Sequence, residues 1–196
     1  SEDAIAIKEI ENVTNHDVKA VEYFIKDKFD LLNLSKFKEF IHFGLTSQDI
    51  NNTAIPLSIK DFLEEIYIPM INNLLSSINK NCKDLKDITI ISRTHGQPAS
   101  PTKLGKEFRV FWTRITNQLS TLKKIPNSAK FAGAVGNFNA HKVAYPKIDW
   151  KEFGQNFIEN ELNLNYSFPT TQIEHYDSLA ALFDNCRRIN NILLDM

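Results

Sequence analysis

At 196 residues, 42% hydrophobic and 24% charged, the chain is long enough to bury a core and short enough to be a single unit. Lys and Arg total 23 against 24 Asp and Glu, a formal net charge of -1, so no global positive field gathers phosphate backbones and no nucleic-acid partner is expected. Cys82 and Cys186 have no CxxC or Cys/His spacing, which argues for reduced thiols and against a metal site, and no apolar run reaches the ~18 residues of a membrane span, so a cytoplasmic protein is expected.

Apolar residues recur at three- and four-residue steps, and with only Gly 6 and Pro 7 the reading is all-α. After a first helix, "TNHDVKAVEYF" places Thr14 and Asp17 at capping-box spacing ahead of Val18, Val21 and Ile25, which predicts a helix from Thr14. "TSQDINNTAIPLSIKDFLEEIYIPMINNLL" repeats the pattern with Thr46 and Asp49, while Pro56 and Pro69 predict kinks or breaks. "ITIISRT" is β-branched and short, an extended connector. From Pro101 the seam Leu104, Phe108, Phe111, Ile115, Leu119 and Leu122 predicts a long bundle helix. "KFAGAVGNFNAHKVAYPKIDW" has no period and reads as the main loop, followed by a short helix from about Asp149 to Leu162. Thr171 and Glu174 again have capping-box spacing, which predicts a final helix over 172–196, and that helix is still periodic at Met196, as if the chain stopped inside it. The whole reads as one unit, 1–196.

Asn15-His16-Asp17, Thr46-Ser47 and Thr171-Gln172 each fall where a helix is predicted to start. Free N–H groups and the positive end of the helix dipole suit a carboxylate or phosphate there, although the same residues serve equally well as plain caps. His16, His42 and His95 lie beside helix starts or polar turns; His141 and His175 lack such company and read as structural. "GAVGN" lacks the third glycine and the βαβ context of a dinucleotide site and reads as a tight loop. The sequons at Asn51 and Asn165 are attributed to an Asn-rich composition.

Taken together and in order, "TNHDVKAVEYF", "FIHFGLTSQDINN", "SRTHGQPASP", "GAVGNFNAHKVAYP" and "TTQIEHYD" resemble the adenylosuccinate lyases of the fumarase and aspartase superfamily, in their bacterial-type branch. The resemblance implies a long-helix bundle with a few short extended connectors, of which this chain is the central helical domain truncated at both ends. It implies a homotetramer that needs neither metal nor organic cofactor and acts on adenylosuccinate, releasing fumarate and AMP, and on the related succinyl-carboxamide ribotide.

On these positions the resemblance makes His95 the general acid and His42 a supporting histidine, with Asn15, His16, Asp17, Thr46, Ser47, Thr94 and Gln172 contacting substrate. The serine base of the family sits on an SSxMPxKxNP loop, and neither that motif nor the N-terminal Arg-Tyr pair occurs in these 196 residues. The chain alone is therefore expected to be inactive. Argininosuccinate lyase and fumarase are the nearest alternatives, with a non-catalytic helical oligomerisation module as a rival of a different kind.

Overall fold

A computed structural model describes all 196 residues. The chain is α-helical in class: α1 (Glu2–Thr14), α2 (Asp17–Leu31), α3 (Ser47–Phe62), α4 (Ile68–Asp84), α5 (Leu104–Leu122), α6 (Asn139–Ala144), α7 (Trp150–Asn156) and α8 (Asp177–Asp195). Strands β1 (Thr89–Thr94), β2 (Gln97–Lys103), β3 (Ser128–Ala129) and β4 (Asn165–Tyr166) are the extended connectors. Where the sequence read as one unit, its contacts gather into two that interleave along the chain: Ser1–Leu57 with Ser128–His175, and Ser58–Asn127 with Tyr176–Met196.

In the first unit, α1 ends on Asn15 in the left-handed region (φ 52), a conformation asparagine tolerates better than most residues. The helix expected from Thr14 instead starts at Asp17, because Thr14 completes α1 and His16 takes the cap. A 3₁₀ turn (Ser35–Phe40) leads to α3. Two small cores form here. Ala129, Ile158 and Leu164 make one; Ala132, Phe138 and Trp150, with Phe43 packed on them, make the other. The predicted main loop contains the short α6, and Asp149 caps α7 by accepting from the N–H of Lys151 and Glu152.

In the second unit, α4, α5 and α8 pack around Leu75, Ile78, Ile115, Leu119, Leu182 and Ile189, the seam that the three- and four-residue steps predict. Pro69 does not break the chain. A single π turn (Leu63–Tyr67) precedes α4, with the Ile68 N–H reaching Leu63 O, and this absorbs the missing proline donor. Pro56 lies inside α3.

Pro98 and Pro101 lie in β2, paired with Arg93 and Ile91, and not at a helix start; α5 begins at Leu104. Thr94 pairs with Gln97 and leaves a two-residue loop, His95 (φ 51) and Gly96 (φ 74). Two successive positive φ values define a type I′ hairpin turn, whose twist matches the strands it joins and whose second position favours glycine. The last helix begins at Asp177, five residues later than predicted, since residues 171–176 are irregular.

Candidate functional site

His16 occupies the N-cap position of α2, and its Nδ1 accepts from the Lys19 N–H at 3.2 Å. The same Nδ1 lies 3.4 Å from Asp17 Oδ1, and in the capping geometry, where Nδ1 accepts, the ring's other nitrogen, Nε2, is the one free to donate. That Nε2 lies 3.4 Å from Ser47 Oγ, the first residue of α3. Asp17 follows directly, its Oδ1 accepting from the Val18 N–H at 2.7 Å.

Thr46 precedes α3, and its N–H donates to Asp49 Oδ2 at 2.8 Å, the carboxylate half of the capping box that the spacing predicts. Asp49 does more than cap. Its Oδ1 accepts from Ala132 N (2.9 Å) and Gly133 N (3.2 Å) and pairs with Lys130 Nζ at 2.8 Å, with both side chains wholly buried. One turn on, buried Asn52 accepts through Oδ1 from the Glu174 N–H at 2.9 Å and through its carbonyl from the Lys130 N–H at 3.2 Å. The start of α3 is thus tied to both the 130–133 turn and the 170–175 segment.

That second tie corrects one expectation. Thr171 and Glu174 do not cap a helix: Glu174 is buried and accepts from Ser167 Oγ at 3.1 Å. The segment instead carries Gln172 to Thr46, Nε2 to Oγ1 at 3.3 Å. Gly136 packs beneath it, and a Cβ there would stand 2.0 Å from Thr170 O.

His42 Nδ1 lies 3.4 Å from Glu22, a carboxylate only 6% exposed that also receives Lys19 Nζ (2.6 Å) and Lys26 Nζ (2.9 Å). Burial would raise the Glu22 carboxyl, but the hydrogen bonds from Lys19 and Lys26 and the nearby His42 outweigh it and hold it below the ordinary range. Burial pushes the Tyr166 phenol up to about 12, with the Asp49 charge adding to it.

Among the candidates, then, His16 meets Ser47 and Gln172 meets Thr46 in one polar cluster at two helix starts, an arrangement suited to a small anion. Asn15 is the turn that leads into it. Thr94 and His95 belong to the other unit, exposed at the tip of the β1–β2 hairpin. Sequence reasoning passed over Glu22, Asn52 and Lys130, and gave Glu174 only a cap. Only Lys130 carried a local signal, a cation set among Ala129, Phe131 and Ala132.

The model of the Lyase family matches residues 1–196, and the chain belongs to that family. It is 51% identical over 99% of its length to an adenylosuccinate lyase of Dictyostelium discoideum, and 45% identical over 99% to one of Escherichia coli (strain K12). It spans 43% and 42% of those relatives, less than half their length. A fumarate lyase structure from Mesorhizobium sp. BNC1 matches 97% of the chain and 43% of that chain with a TM-score of 0.81 at 19% identity, a likeness of fold. A beta-carboxy-cis,cis-muconate cycloisomerase from Acinetobacter calcoaceticus matches 95% of the chain and 42% of that chain with a TM-score of 0.71 at 20% identity.

Proposed function

We propose that this chain is the central helical part of an adenylosuccinate lyase, which eliminates fumarate from adenylosuccinate to leave AMP and does the same to the related succinyl-carboxamide ribotide. The observation that carries the reading is the identity of 51% over 99% of the chain to a curated adenylosuccinate lyase. The polar cluster of His16, Ser47, Thr46 and Gln172 supports it.

In this reading a base removes the proton next to a succinyl carboxylate, and the carbanion is held as an aci-carboxylate. The C–N bond then breaks and its electron pair returns to the purine nitrogen, which takes a proton from a general acid. Thr46, Ser47 and Gln172 receive the succinyl carboxylates; Asn15, His16 and Asp17 contact the substrate; Thr94 flanks the acid. His95 is that acid, with an imidazole suited to proton transfer near neutrality, and its exposed place at a tight turn leaves the ring open to substrate. His42 supports the site. The base lies on a loop of SSxMPxKxNP kind that these 196 residues do not contain.

The enzyme works in the cytoplasm as a homotetramer, and exposed apolar side chains such as Ile66, Met70, Phe183 and Leu194 in the second unit support self-association. No helix is long and apolar enough to cross a membrane. Adding adenylosuccinate to the complete protein and following ultraviolet absorbance tests the reading. Fumarate and AMP are expected from the complete protein and none from the 196 residues alone; a complete protein that leaves adenylosuccinate unchanged rejects it.

A further inference from the structure

Nothing in the chemistry above uses Lys130. Its ammonium is wholly buried, 2.8 Å from Asp49 Oδ1 and donating to Gly133 O at 2.7 Å. A lysine is almost never fully buried unless its charge is matched, since the ammonium gives up its hydration. A well-packed apolar pair often serves a fold as well as a buried ion pair does, so stability alone gives no reason for charge here. Location gives one. Asp49 is the third residue of α3, and its carboxylate fixes the Thr46 N–H and, through the N–H groups of Ala132 and Gly133, the turn beside it. The same negative charge, left alone, would cancel the positive end of the helix dipole and repel any anion arriving at Thr46 and Ser47.

We propose that Lys130 is a positioning and charge-setting residue for the anion seat of the site. It neutralises Asp49, so the carboxylate shapes the start of α3 while the seat keeps its attraction for a substrate carboxylate. The charges sum to zero across the pair, and the helix end remains the net positive feature. This rests on the lyase reading, in which Thr46 and Ser47 receive a carboxylate.

The test uses the complete protein, with fumarate as the probe and Tm as the control for folding. Lys130→Met leaves a buried, unpaired Asp49 and weakens fumarate binding about tenfold or more; KM for adenylosuccinate rises likewise, with kcat changed less. The double variant Asp49→Asn/Lys130→Met removes both charges but leaves one oxygen where the carboxylate offered two, so either the Thr46 N–H or the N–H groups of the turn lose their acceptor. It binds fumarate about threefold or more tighter than Lys130→Met and more weakly than the unaltered protein. Lys130→Gln, which removes the charge and keeps a donor for Asp49 and Gly133, stands in where Lys130→Met fails to fold and weakens fumarate binding about tenfold likewise. A folded single variant that binds fumarate unchanged, or a folded double variant that binds it no more tightly than the single variant, overturns the proposal. An unaltered protein that does not bind fumarate defeats the lyase reading itself, and the proposal with it, before any variant is made.

Discussion

The Glu22 carboxylate and the His42 imidazole stand 3.4 Å apart and join α2, the helix that His16 caps, to the segment that runs into Thr46 and Ser47. Lys19 and Lys26 close on the same carboxylate from within α2. Glu22→Gln keeps the shape and removes the charge, and is expected to lower stability by about 1–3 kcal/mol at neutral pH. Because the folded-state pKa is depressed, this contribution is present above the ordinary carboxyl range and is lost as pH falls through the depressed value. Denaturant unfolding at neutral and acid pH should find the gap between the two proteins narrowing toward acid.

His16 has two separable duties. His16→Asn keeps a good N-cap for α2, so stability should change by only a few tenths of a kcal/mol, whereas His16→Ala should cost about 1 kcal/mol. Both lose the Nε2 contact to Ser47. Lyase turnover of the complete protein should therefore fall similarly in the two variants while Tm separates them.

His141 is buried among Phe43, Phe138 and Trp150, the nearest ring centroid, that of Trp150, at 4.7 Å. Burial lowers its pKa from 6.5, against the opposing pull of Asp49 and the Phe43 backbone. The unfolded chain then takes up the proton first, so stability is full above about 6.5 and declines as pH drops below it. Tm measured at pH 7.5 and 5.5 should fall for the unaltered protein, and by less in His141→Gln.

Gly136 has φ 80 and no room for a Cβ beside Thr170 O. Gly136→Ala should destabilise by more than about 2 kcal/mol. Because the displaced segment holds Gln172 against Thr46, KM in the complete protein should rise as well. Thermal unfolding and a KM measurement check the two effects separately.

The helical class and the apolar seam of α5 were legible because they rest on periodicity within one element. The cap at Thr46 and Asp49 was legible for the same reason: its partners lie three residues apart. An identical spacing misled at Thr171, where Glu174 answers to Ser167 and Asn52, and at Thr14, where His16 is the better-placed acceptor. The prolines after His95 read as a helix start, yet the type I′ turn at His95 and Gly96 let strand pairing claim them. Lys130 with Asp49 and Glu22 with His42 are pairs between distant stretches, and no local pattern announces which charge meets which.

In the proposed reaction His95 protonates the departing purine nitrogen. Single-turnover release of fumarate from adenylosuccinate by the complete protein carrying His95→Gln measures that role most directly. A loss of about 100-fold or more in the elimination step is expected, with substrate binding largely kept. Elimination at the unaltered rate would contradict it.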